Sequence, residues 1–249
     1  VVTMAESKKW ERRDQVLVLE LYTRIPFGKM HKTNPDVVEL ANYLERSANS
    51  VAMKLGNYAS LDETLDRKGL DGASKADRET WDEFFADPEV FLQMARAMRD
   101  VGGDWPTKDE DPEPTEFREG EDVLRMVRVR KNQSAFRAMV MAAYESRCAI
   151  TGISQPELLI ASHIVPWRVD EKLRLDPRNG ICLNPLHDKA FDAGLITISS
   201  DFAVVCSPRL MVPNALRDQF EGKTMKGPGK FRPLSKYLEY HRDVVFRAA

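Results

Sequence analysis

At 249 residues the chain can bury one large hydrophobic core or two ordinary ones, and 43% hydrophobic with 31% charged residues places it among globular proteins. No apolar run approaches the ~20 residues that cross a bilayer, and the three cysteines (Cys148, Cys182, Cys206) lack C-x-x-C spacing, which argues against a disulfide scaffold or a four-cysteine structural zinc site; a soluble, cytoplasmic protein with no membrane partner is expected. The net charge of −2 hides a strip at 104–122 with nine acids against two bases, and setting that −7 aside leaves +5 for the rest, which permits phosphate contacts.

In chain order, Trp10, Leu17, Val18 and Leu21 recur at helical spacing up to Ile25-Pro26, where proline forbids continuation. Asn34-Pro35 supplies an N-cap and a first-turn proline for a second helix with Val37, Val38, Leu40, Ala41 and Leu44 on its buried face. After a break at Arg46-Ser47-Ala48-Asn49, a third helix is predicted from Ser50 to about Tyr58. Ser74 with Asp77 caps a fourth helix through Phe85, and Asp87-Pro88 opens a fifth that runs to Arg99. The second and third helices have a helix-turn-helix layout and resemble the trihelical DNA-binding units of bacterial regulators and Myb-like domains. The resemblance implies that the third helix enters the major groove of double-stranded DNA, with Arg46, Asn49, Ser50, Met53, Lys54 and Asn57 meeting bases or phosphates. A plain structural or dimerising helical domain shows the same apolar spacing and stays open.

The acidic strip, flanked by Gly102-Gly103 and carrying Pro106, Pro112 and Pro114, reads as a linker. It divides a helical domain, 1–103, from a second domain, 123–249. There, 133–145 is predicted to be an amphipathic helix with Phe136, Met139, Val140 and Tyr144 on one face. Residues 148–152 read as a short strand and turn, and 158–167 as a buried strand ending at Pro166. A polar loop, 168–178, leads to Asn179-Gly180, the strand Ile181-Cys182-Leu183, and a helix from about Pro185 that contains His187. A hairpin across Ser200-Asp201 then extends the sheet. A loop-rich tail follows, whose Lys223, Lys226, Lys230 and Arg232 suit either phosphates or plain solvent, and it ends in a helix at about 234–246.

The order is a strand with His, a loop, Asn, a strand, and a helix with His. A neutral imidazole at a strand end can take a proton from water near neutral pH. A group on the following helix can hold a divalent ion against a phosphate, and an amide between them can fix the imidazole's tautomer and the shape of the hairpin.

Residues 134–198 resemble the HNH endonuclease family, in particular bacterial restriction-type members. The matches are His163-Ile164-Val165-Pro166, Asn179-Gly180-Ile181-Cys182-Leu183, and His187-Asp188-Lys189-Ala190-Phe191-Asp192-Ala193-Gly194-Leu195-Ile196. The resemblance implies an α+β protein in which a ββα-metal HNH nuclease follows the helix-turn-helix-like domain. His163 would be the general base, Asn179 would orient it, and His187 would hold Mg²⁺, Mn²⁺ or another divalent cation.

Two departures stand out. Many relatives carry Asp, Glu or His immediately before the base, where this chain has Ser162, a weak ligand for a hard cation; Asp188 and Asp192 are further candidates, but Asp192 falls about 140° round an ideal helix from His187 and is expected to cap the turn into the next strand. Cys148 and Cys182 stand where zinc knuckles begin in other members, with Thr151 and Pro185 three residues on, so apolar packing is the role expected of both. The setting expected is restriction or defence, by a homodimer that cuts both strands or by a monomer acting twice. Two alternatives stay open: a DNA-binding regulator with a vestigial HNH fold, and an HNH nuclease acting on RNA or structured DNA.

Overall fold

The structure, a computed structural model, describes residues 9–65, 72–100, 121–218 and 220–248. It divides into two units, Val1–Thr107 and Lys108–Ala249. Most of the acidic strip lies outside the described residues.

The first unit is helical: α1 (Arg12–Arg24), α2 (Pro35–Tyr43), α3 (Ala48–Ala59), α4 (Lys75–Ala86) and α5 (Pro88–Asp100). Every residue of α1 from Asp14 to Thr23 is buried, and α2, α3, α4 and α5 all pack against it. Its apolar positions alone describe one face. Its two buried carboxylates are each paired: Asp14 takes Arg46, and Glu20 takes Arg24 and Arg99. Asn34 caps α2 by accepting from Asp36 N–H at 2.8 Å, and Ser74 with Asp77 forms a capping box on α4, as their spacing predicts. The third helix starts two residues earlier than expected, because Ser47, inside the expected break, is its N-cap.

In the second unit, α6 (Glu121–Ala143) leads to the antiparallel hairpin of β1 (Ile160–His163) and β2 (Gly180–Leu183), and then to α7 (Pro185–Asp192). The helix α6 begins twelve residues before the predicted start, inside the stretch read as linker, because Arg125, Arg128, Arg130 and Lys131 interrupt the apolar spacing on which that reading depended. Residues 148–152 form a closed turn and no strand, with Gly152 at φ +76° and its N–H on the Cys148 carbonyl. The expected 158–167 strand is only four residues long and stops at His163. The later hairpin, β3 (Ile196–Ile198) with β4 (Val204–Cys206), is a separate two-stranded sheet and does not extend the first. The chain leaves α7 through Gly194 at φ +68°, a left-handed helix end, and β3 then packs on α7 instead of pairing with β1 or β2.

The short α8 (Asn214–Arg217) precedes α9 (Ser235–Tyr240) and a π-helical turn, His241–Val245. Among the described residues no helix is long and apolar enough to cross a membrane. His241 locks this end in place. Its ring stacks on Phe191 at 3.6 Å, its Nε2–H donates to the Phe191 carbonyl at 3.1 Å, and its Nδ1 accepts from the Thr197 hydroxyl at 2.9 Å.

Burial pushes the His241 pKa down from 6.5 to about 4. The folded value lies below the unfolded one, so the stabilisation by neutral His241 is complete above pH 6.5 and is lost as the pH falls towards 4. The stability advantage of wild type over His241→Phe should therefore shrink by about 2–3 kcal/mol between pH 7 and 4.5 in urea denaturation. An advantage that stays constant over that window would contradict a buried neutral imidazole.

Candidate active site

His163 ends β1 directly opposite Gly180 of β2. A Cβ on Gly180 would lie 2.3 Å from Val140 Cγ2 and 3.0 Å from Phe136 Cζ, so only glycine lets α6 approach this closely. That approach brings the Phe136 ring into a 3.8 Å stack on His163, while Trp167 meets the imidazole edge-on at 5.3 Å. The Nε2–H of His163 donates to the Arg174 carbonyl at 3.0 Å, and this bond selects the tautomer, leaving the Nδ1 lone pair as the basic one. Burial holds the His163 pKa below its ordinary value, opposed in part by the bond to Arg174.

Asn179 is fully buried and works on the backbone beyond His163. Its Oδ1 accepts from Val165 N–H at 2.8 Å, and its Nδ2 donates to the Val165 carbonyl at 3.1 Å and to the Leu173 carbonyl at 3.2 Å. It thus clamps the two ends of the loop that leaves β1, and the tautomer is set by Arg174, which sequence reasoning did not single out. A backbone carbonyl carries no sequence signal.

Facing β1 is α7, whose Asp188 lies beside Ser162. Ser162 Oγ is buried and makes no well-formed hydrogen bond, and the Asp188 carboxyl is close enough for the hydroxyl to lower its pKa against the larger effect of burial. Asp192 is one helical turn on, about 40° round from Asp188, and thus on the same face of α7. Burial raises the pKa of both carboxyls, and the Asp188 charge raises that of Asp192 further. A buried hydroxyl beside an acidic helix face whose charge Lys189 offsets only in part suits a hard divalent cation. Among the described residues no three His, Cys, Asp or Glu side chains converge as a ready-made cage. A small cation of this class commonly takes one or two carboxylates and completes its shell with water and phosphate oxygens, so the donor set fits.

His187 sits elsewhere. It is 2% exposed, its Nδ1 faces the Cys148 thiol at 3.8 Å, and its ring meets Phe220 edge-on at 5.2 Å. Among the described residues no hydrogen bond or ring contact joins it to His163. The residue expected to hold the ion is thus packed in the core, and because α7 turns 100° per residue its successor Asp188 is the one beside β1. Cys148 is likewise more than apolar filler. Burial alone would raise its thiol pKa, but hydrogen bonds from His187, from the Thr151 side chain and backbone, and from the Ile150 backbone outweigh it and bring the value to about 6.

In the first unit, the six residues expected to meet DNA separate into two groups. Asn49 and Met53 are exposed on α3, Met53 at 55%, and Ser50 and Asn57 are half-buried beside them. Arg46 and Lys54 are not on that face. Arg46 bonds Asp14 Oδ2 at 2.6 and 3.0 Å and lies over Trp10, and buried Lys54 holds both Asp77 oxygens at 2.8 and 3.0 Å. Both cations neutralise buried carboxylates within the unit, apart from the exposed side chains of α3. Lys54→Ala should therefore cost about 3–5 kcal/mol of stability, since it strands the Asp77 charge in the core. Thermal denaturation checks this; a variant as stable as wild type that binds DNA poorly would return Lys54 to the DNA face.

A family model described as HNH endonuclease matches residues 148–199. No curated protein matches the chain. Among solved structures, the chain is similar to a "Modification dependent TagI restriction endonuclease", at 22% identity and a TM-score of 0.33 over 45% of this chain. The similarity spans 38% of that protein's chain.

Proposed function

We propose, from the premise that residues 148–199 are an HNH endonuclease domain, that the protein is a divalent-metal-dependent DNA endonuclease of restriction or defence type. The observation that carries the mechanism is the state of His163: Nε2–H is committed to the Arg174 carbonyl, so the free lone pair is on Nδ1, at the strand end that α7 faces.

In this reading, His163 Nδ1 takes the proton from the attacking water, and its depressed pKa keeps it unprotonated at neutral pH. Asp188, with Ser162 and Asp192 beside it, would hold the cation, whether Mg²⁺, Mn²⁺ or another divalent ion. When bound, the ion stabilises the negative charge that develops on the scissile phosphate and leaving oxygen. Phe136 fixes the plane of the imidazole, and Asn179 keeps the following backbone from drifting.

The exposed face of α3, with Asn49, Ser50, Met53 and Asn57, is the surface assigned to DNA, in the manner of a helix-turn-helix. It offers amide, hydroxyl and thioether groups and little charge, which favours contact with base edges over phosphates.

The test is incubation of the purified full chain with supercoiled plasmid in Mg²⁺ or Mn²⁺, with chelator and His163→Ala as controls. Nicked or linear product that requires both the ion and His163 is the expected result. Supercoiled DNA persisting under every ion and salt condition, with binding retained, would favour a regulator that carries an inactive HNH domain; cleavage confined to RNA or structured DNA in parallel reactions would move the substrate class.

A further inference from the structure

The helix α9, which lies outside the segment matched to the family, touches the loop between the two strands of the hairpin. Tyr237 on α9 is 5% exposed and donates its hydroxyl to Asp176 Oδ2 at 2.9 Å. Asp176, 4% exposed, organises the turn that delivers Asn179. Its Oδ1 accepts from the Arg178 backbone N–H at 2.9 Å, its carboxylate takes the Arg178 guanidinium at 2.8 Å, and its own carbonyl accepts from Asn179 N–H at 2.9 Å. Asn179 in turn accepts from Ile164 N–H through its carbonyl at 2.9 Å, and from Val165 N–H through its side chain. Those are the two residues that follow His163. Four residues beyond Tyr237, His241 anchors the same end of the chain to Phe191 in α7, between Asp188 and Asp192.

We propose that Tyr237 and Asp176 are positioning residues of the nuclease centre: through the 176–179 turn they hold the Asn179 clamp and the Arg174 carbonyl, and hence the orientation and tautomer of His163. The proposal rests on the nuclease reading above. The loop from Ile164 to Arg178 belongs to no strand pair, and where it returns to β2 these side-chain contacts hold it, while Arg174 braces its middle on the Trp167 carbonyl and Glu171. Removing the tyrosine hydroxyl deprives a buried carboxylate of one donor, so the turn relaxes to find another. A base displaced by a fraction of an ångström loses much of its advantage, and a 1 Å displacement can cost about a hundredfold.

The test variant is Tyr237→Phe, which keeps the ring and its packing. Its kcat for plasmid nicking should fall about tenfold with KM unchanged, because the loss is one of orientation at the reacting centre. The ¹⁵N spectrum of the His163 imidazole, read without DNA or metal, should show a single Nε2–H tautomer in wild type and a mixture in the variant. Leu238→Ala, next to it on α9 and buried, removes apolar bulk and no hydrogen-bonding group, and serves as the control for simple destabilisation. It should lower the melting temperature and leave kcat and the spectrum as in wild type when assayed well below that temperature. An unchanged kcat and spectrum in Tyr237→Phe, or the same kcat loss in Leu238→Ala, would overturn the proposal. If wild type itself cuts nothing, the nuclease reading falls, and the spectrum alone decides whether Tyr237 positions His163.

Discussion

His163→Ala is expected to lower the rate of DNA cleavage by about a hundred- to ten-thousand-fold, the usual contribution of a positioned general base. The fold should survive the change. The imidazole is half-buried at the end of the strand, its Nε2–H partner is a backbone carbonyl at the edge of a loop, and the main loss is the stacking surface of Phe136. Single-turnover cleavage with saturating ion reads the chemical step, and circular dichroism checks the fold. The pH profile adds a second reading of the same residue. Burial lowers the His163 pKa, so the acid limb of the wild-type rate should lie below 6.5, with activity complete above it and falling as the ring protonates. An alanine variant that keeps wild-type rate, or an acid limb above 6.5, would remove His163 as the base.

The second large effect separates two neighbours on α7. Asp188→Asn should abolish Mn²⁺ binding measured by calorimetry on the full chain and lower cleavage about a hundredfold or more, since several kcal/mol of charge stabilisation depend on the ion. His187→Ala should behave differently. It empties a buried position between Cys148 and Phe220 and should cost about 2–5 kcal/mol of stability, while ion affinity stays at the wild-type value. The contrast follows from exposure: a side chain packed at 2% against a thiol and a phenyl ring has no room for a hydrated ion, whereas the Asp188 carboxylate faces an unpartnered hydroxyl on the neighbouring strand. If calorimetry shows the ion lost in His187→Ala and kept in Asp188→Asn, the assignment reverses.

Much of this molecule is legible before any coordinates. Local signals were reliable where they act over one turn: the Asn34 cap, the Ser74 and Asp77 capping box, and the proline that ends α1. They failed where a distant segment decides. The α6 helix shows no clean apolar stripe in its basic first half, so periodicity placed its start too late. The second hairpin reads as an extension of the first sheet, yet Gly194 turns it away, since any Cβ there would meet the Val245 carbonyl at 2.1 Å. Arg46 and Lys54 look like phosphate ligands in a list of residues, and become internal counter-charges once Asp14 and Asp77 are packed beside them.

The amino-acid order alone determined that a strand with His, a turn with Asn, a second strand and a helix with His follow one another, because that information lies in chain-local patterns of strand, turn and cap. Which atom of His163 is basic, which residue of α7 faces the strand, and what braces the loop were decided only by tertiary packing. Each depends on partners brought from afar: Phe136 from α6, Tyr237 from the C-terminal helix, and Cys148 against His187. A side chain's chemistry is inherited from its sequence, but its direction, desolvation and hydrogen-bond partner are properties of the space around it, and those three determine whether an imidazole is a base, a ligand or part of the core.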